Sequence, residues 1–162
     1  MNTDKILIAF DGSENALRSV VYVASMIGSR PDCQVEVVAI ERPPDRDLFP
    51  DDTAWKENCA VKAAALRQSL EKARELLLAS GMPGPAVTTR FVESCRSPLR
   101  ESRECSINTS IALEVLHLAE EGDFGTVVVG RRGVSRQEEF LFGSVSSKII
   151  HAAKDLAIWV VA

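Results

Sequence analysis

Residues 5–13 read KILIAFDGS, and the reading of this stretch decides the fold. Six almost wholly apolar residues cut off by Asp11-Gly12 form the pattern of a short strand covered on both faces, as in a parallel sheet. Ser13 follows, where a hydroxyl caps a helix. Leu17, Val20, Val21, Ala24 and Ile27 then recur at helical spacing until Gly28 and Pro31 end the run.

Outward from that first βα unit the alternation continues. QVEVVAI at residues 34–40 suits a second strand, and the charged, proline-rich residues 41–52 suit a surface loop. Over residues 53–80 a helix is predicted, with Trp55, Cys59, Leu66, Leu70, Ala73 and Leu77 on one apolar stripe read as core. Residues 86–92 suit a third strand, 107–121 a third helix, 126–129 a fourth strand after the Gly122-Asp123 turn, 144–154 a fourth helix and 157–161 a fifth strand. The order βαβαβαβαβ predicts an α/β fold: an open five-stranded, mostly parallel sheet with helices on both faces, forming a single domain over residues 1–162.

Bulk composition narrows the function. The 162 residues are 46% hydrophobic and 26% charged, and the net charge of −4 disfavours the broad basic face that bulk nucleic-acid binding requires. No apolar run approaches the ~18 residues of a membrane span, and residues 1–10 lack a signal-peptide pattern, so the expected location is cytoplasmic. Cys33, Cys59, Cys95 and Cys105 form no CxxC pair, so no zinc site is indicated. Free thiols are expected, with a Cys95–Cys105 disulfide open only to an oxidising compartment.

In an open parallel sheet, ligands lie outside the carboxyl ends of the strands. After the fourth strand come Gly130 and Gly133, nine further residues, then Gly143-Ser144 opening a helix: G-2x-G-9x-G-S. Glycine lets backbone amides approach a polyphosphate, and a helix start offers unpaired N–H donors and the positive end of a dipole. The same residues also suit a plain turn and a capped helix start.

Residues 6–13 (ILIAFDGS) and 130–150 (GRRGVSRQEEFLFGSVSSKII) resemble the universal stress proteins of the ATP-binding type, and the element order between them fits nearly the whole chain. The resemblance implies a Rossmann-like, adenine nucleotide alpha hydrolase-like fold with ATP as ligand, accompanied by magnesium or manganese where a cation bridges the phosphates. It implies that Gly130, Gly133, Gly143 and Ser144 contact phosphates and ribose, that Asp11 lies beside the nucleotide, that Ile40 packs near the adenine and that Val145 contributes its backbone. It also implies a homodimer through residues 157–161. A regulator is expected, coupling nucleotide occupancy to dimerisation or to docking on a protein partner that the sequence does not name. A dimeric interaction module without nucleotide and a slow ATPase are the alternatives.

No catalytic residue is assigned. The chain has no GxxxxGK[ST] or GxGxxG sequence, and His117 and His151 fall on helical patterns remote from any nucleophile pattern. Arg131 and Arg132 are read as solvated. The chain departs from the family at residues 93–106 (ESCRSPLRESRECS), a charged loop expected to overhang the nucleotide as a lid carrying Arg96, Arg100 and Arg103. It departs again before the last strand, where a proline-flanked turn is missing.

Overall fold

A computed structural model describes residues 2–28, 30, 32–103, 105–107, 110–131 and 143–162. The elements are β1 (Asn2–Ala9), α1 (Glu14–Ile27), β2 (Gln34–Ile40), α2 (Asp52–Ala79), β3 (Val87–Val92), α3 (Ile111–Glu121), β4 (Phe124–Gly130), α4 (Ser144–Ala152) and β5 (Ala157–Val161). All five strands are parallel, in the order β3-β2-β1-β4-β5. The order reverses between β1 and β4: the chain leaves β1 toward β2 and β3, then crosses back to β4 and β5. Where two neighbouring strands send their chains to opposite sides, their carboxyl ends splay apart and leave a crevice.

Strand periodicity divides the core between the two faces. Ile6, Ile8 and Phe10 join Val35, Val37 and Ala39 beneath α1 and α2. Leu7 joins Val38, Val127 and Val129 beneath α3 and α4. Successive side chains of a strand point to opposite faces, so a doubly covered sheet requires apolar residues in succession. That requirement is what the KILIAF run expresses.

Capping sets the helix starts. The Ser13 hydroxyl accepts the Ala16 amide at 3.1 Å and the Asp51 carboxylate accepts the Ala54 amide at 2.8 Å, each satisfying an otherwise unpaired donor. Gly12 links β1 to α1 at φ +78°, a left-handed conformation that disfavours a side chain. Asp155, also left-handed at φ 52°, makes the turn into β5 without the missing proline. The paired register Thr126↔Ala157 to Gly130↔Val161 then follows.

Several boundaries differ from the sequence reading. β1 begins at Asn2 because ladder pairing extends past the residues that bury side chains, and β4 spans Phe124–Gly130, with Phe124 buried in the core beneath α3 and α4. α4 ends at Ala152. α3 begins at Ile111 rather than at residue 107, and Ile107 is 86% exposed, so it belongs to no buried helical stripe. The stripe on α2 is core only in part. Cys59, Leu70, Ala73 and Leu77 are buried, whereas Trp55 and Leu66 are half-buried.

The described residues of the 93–106 segment form a cross-braced loop. The Glu93 carboxylate accepts the amides of Glu101 (3.0 Å) and Ser102 (2.9 Å) and pairs with Arg67 at 3.3 Å. Backbone bonds join Ser106 to Glu93 (2.8 Å) and Cys95 to Ser106 (3.1 Å). Cys95 and Cys105 are joined as a disulfide, which corrects the expectation of free thiols there, and Cys33 and Cys59 are free and buried. The bracing closes a turn that brings the two sulfurs together, and sequence separation alone does not reveal it.

The Ser102 amide, with further help from the Glu101 amide and the Arg67 and Arg100 guanidiniums, holds the Glu93 carboxyl below the usual glutamate range against the opposing effect of desolvation. Its folded pKa is depressed, so its support of the loop is present above the ordinary glutamate range and is lost as pH falls through the folded value. The Glu101 and Ser102 amide resonances are expected to titrate together at a pH below that of an unperturbed glutamate. Glu93→Gln should abolish this shared transition.

Candidate functional site

The crevice at the β1/β4 reversal is a cleft of about 640 Å³. Its floor is the carboxyl end of the sheet: Phe10, Asp11 and Gly12 after β1, Ile40 at the end of β2, and Val129 and Gly130 at the end of β4. One wall is the start of α4, Gly143 to Ser146, and the opposite wall is α2, which contributes Cys59, Lys62, Leu66 and Ser69. A volume of this size lies within the range of small-molecule and cofactor sites.

Six of the seven residues expected at the site, Asp11, Ile40, Gly130, Gly143, Ser144 and Val145, line this single cleft. They come from four separate segments of the chain. Gly133 lies outside the described residues, as does Arg132. Arg131, read as solvated, is of intermediate exposure and is not among the residues lining the cleft. Its amide donates to the Val161 carbonyl at 2.6 Å, and its carbonyl accepts the Gly143 amide at 2.8 Å. The stub after β4 is thereby tied both to β5 and to the cap of α4.

Gly143 is the N-cap of α4, at φ −68° and ψ 161°, with no side chain capping the helix among the described residues. A helix start without a capping side chain leaves its first amides available to an anion, and the dipole favours negative charge there. Ser144 is exposed, Val145 half-buried and Ser146 buried. The Ser146 hydroxyl lies 3.0 Å from both the Arg131 and Gly143 carbonyls, to which it donates, and so fixes the helix start against the end of β4. Sequence reasoning passed over Ser146, although its place three residues into the helix made it a candidate for such a back-bond.

At Gly130, a β-carbon would stand 3.1–3.2 Å from Asn15 on α1, so glycine allows this strand end to approach the first helix closely. Gly130→Ala is expected to lower stability by about 1 kcal/mol, or about 2–4 °C in Tm for a chain of this size, as calorimetry would measure. Asp11 also serves α1: its carboxylate accepts the Ser13 amide at 3.0 Å.

Sequence reasoning also missed Glu41 and the α2 wall. Cys59, Lys62, Leu66 and Ser69 recur at helical spacing, and the Lys and Ser within that series are the signal that this length of α2 faces something other than core. Burial pushes the Cys59 thiol up, and the nearby Glu41 carboxylate adds to the effect, so this sulfur is an inert wall atom near neutral pH. Glu41 accepts the Ser94 amide at 3.0 Å and the Ser97 hydroxyl at 2.8 Å, anchoring the 93–106 loop.

The loop does not cover the cleft. None of its described residues lines it; Arg96 borders an adjoining hollow, and Arg100 and Arg103 border neither space. The expected lid is therefore corrected to a neighbouring wall, because the bonds from Glu41 and Glu93 hold the loop against β2 and β3. His117 and His151 are exposed and outside the cleft. Among the described residues no group of three or more His, Cys, Asp or Glu is placed to hold a metal ion, and no helix is long and apolar enough to cross a membrane.

Comparison with known proteins places this architecture. The model of the universal stress protein family matches residues 2–158. No curated protein sequence matches. Among solved structures, the universal stress protein UspA from Lactobacillus plantarum is similar at a TM-score of 0.71 and 15% identity, covering 98% of this chain and 97% of that one. A universal stress protein in complex with cAMP is similar at 0.64 and 17% identity, covering 99% and 98%. The universal stress protein from Archaeoglobus fulgidus in complex with dAMP is similar at 0.62 and 18% identity, covering 98% and 97%.

Proposed function

Because this chain belongs to the universal stress protein family, we propose that its cleft binds an adenine nucleotide, with ATP as the physiological ligand, and that occupancy regulates assembly rather than driving turnover. The observation that carries this reading is convergence. Asp11, Ile40, Gly130, Gly143, Ser144 and Val145, drawn from four segments, line one cleft at the reversal of strand order, beside a helix start that has no capping side chain among the described residues. The two relatives described with cAMP and dAMP support an adenine nucleotide as the ligand class.

The parts divide the work. Micromolar affinity requires about 8 kcal/mol, and a helix start offers an anion about 0.3–2 kcal/mol. Burying a planar group of about 150–200 Å² against apolar surface contributes a further ~4–5 kcal/mol. Ile40, Val38 and Leu66 supply that surface, while Gly130 and the amides of Ser144 and Val145 meet the phosphates. A divalent cation would be held mainly by phosphate oxygens and water, as magnesium commonly is.

Fast hydrolysis needs a positioned water and a charge-stabilising cation near the transferred phosphoryl group. Of the described cleft-lining residues, Asp11, Glu41, Arg42 and Lys62 carry charge. Dimerisation through β5, an edge strand whose residues Ile158 to Val161 are only half-buried, gives occupancy a structural output and removes an open sheet edge. Static light scattering should return the mass of a dimer at micromolar concentration. The site is expected to work in the cytoplasm, where ATP is abundant.

The direct test is to denature freshly purified protein and identify what it releases. An adenine nucleotide near one equivalent per chain is the expected result. An empty cleft that also takes up none on titration would leave a dimeric interaction module as the reading.

A further inference from the structure

Beside the cleft, and sharing Ile40, Glu41 and Arg42 with it, lies a second hollow of about 530 Å³ between the proline-rich segment after β2 and the disulfide-closed loop after β3. Its wall includes one residue of the disulfide, Cys95, together with Trp55, Arg42, Arg96 and Ser106. Three observations single it out. The Ser106 side chain is 94% buried, being 6% exposed, and its hydroxyl has no hydrogen-bond partner among the described residues. A buried polar group of this kind is normally satisfied. Arg42 and Arg96 form no ion pair among the described residues, whereas Arg46 is engaged by Asp52; the Glu41 carboxylate is turned to Ser94 and Ser97, and it and Asp45 are the acidic residues of the hollow. Finally, the two sulfurs are not equivalent: Cys95 borders the hollow, while Cys105 does not and instead has the Arg100 guanidinium 3.4 Å from its sulfur.

We propose that Cys95 is a site of thiol–disulfide exchange with a carboxylate-bearing, low-molecular-weight thiol that occupies this hollow. The guanidinium forks of Arg42 and Arg96 suit a carboxylate. The thiolate of the bound molecule attacks the Cys95 sulfur and forms a new sulfur–sulfur bond. The Cys95–Cys105 bond breaks, its electron pair goes to the Cys105 sulfur, and that sulfur leaves as a thiolate beside Arg100. Exchange is faster when the departing sulfur carries its negative charge more easily, so the Arg100 contact directs attack to Cys95. A second thiol then attacks the small-molecule sulfur, giving a Cys95 thiolate and the disulfide of the small thiol; the chain is reduced and two small thiols are oxidised. In a reducing compartment a disulfide is usually transient or redox-sensing, and this one has a binding space beside one of its two cysteines. The inference is independent of what the neighbouring cleft holds.

The experiment treats the native, full chain with reduced glutathione or with 2-mercaptoethanol at equal thiolate concentration. Acid quenching, alkylation and peptide mass spectrometry follow. The expected result is an adduct on Cys95 with Cys105 alkylated, exceeding the converse species by about threefold or more. Arg100→Gln should bring that ratio toward parity. Glutathione should outpace 2-mercaptoethanol by about threefold or more, and the Arg42→Gln/Arg96→Gln double variant should lose that preference. An adduct chiefly on Cys105, a ratio indifferent to Arg100, or equal rates for the two thiols in the unaltered chain would overturn the proposal. So would four free thiols in freshly purified protein denatured without reductant.

Discussion

Gly143→Asp is expected to fold with a Tm equal to or slightly above that of the unaltered chain while weakening nucleotide binding by about 100-fold. The backbone at this position, φ −68° and ψ 161°, is open to any L residue, and aspartate is a better N-cap than glycine. The backbone conformation therefore gives stability no reason to fall. Binding falls, for two reasons. An aspartate cap takes the amides that would otherwise meet phosphate, and it sets a negative charge about 5 Å from another, which at an effective dielectric of 20 costs about 3 kcal/mol per pair. Gly143→Asn separates the two effects: it caps without charge and should weaken binding by only about tenfold. Titration calorimetry beside a thermal melt reads both quantities on one sample.

The complementary expectation concerns Leu7, which is 0% exposed in the central strand and packs with Val38, Val127 and Val129 beneath α3 and α4. Leu7→Ala removes part of a fully buried side chain from a place where two parallel neighbours restrain collapse. The cost is about 3–4 kcal/mol, which for a chain of this size lowers Tm by about 6–16 °C. Leu7 does not line the cleft. At temperatures well below the lowered transition, nucleotide affinity should match that of the unaltered chain. Together the two variants separate holding the fold from holding the ligand.

Much of the fold was legible because each strand announces itself locally. Ile6, Leu7 and Ile8 must be apolar in succession only if both faces are covered, and the turn and cap at Gly12 and Ser13 follow within a few residues. The positions of Asp11, Gly130 and Gly143 were legible for the same reason: each stands at the end of an element, and an open α/β sheet gathers those ends. The 93–106 loop was not legible. Its shape depends on Glu41 reaching Ser94 and Ser97, on Glu93 reaching Glu101 and Ser102, and on the Cys95–Cys105 bond, none of which has a periodic trace. The wall formed by α2 fell between these cases. Its apolar stripe was visible, but whether Trp55 and Leu66 face core or cleft depends on where the helix lies across the sheet, and that is decided by packing with α1 and β3 rather than by sequence neighbours.

The most direct measurement of the central claim is an amide-resolved NMR titration of nucleotide-stripped protein with ATP. The account predicts that the amides of Asp11, Ile40, Gly130, Gly143, Ser144 and Val145 shift on a single saturating curve, while those on the outer face of α3 around His117 stay in place. Stationary signals at the α4 start, or a saturating shift confined to another surface, would contradict it.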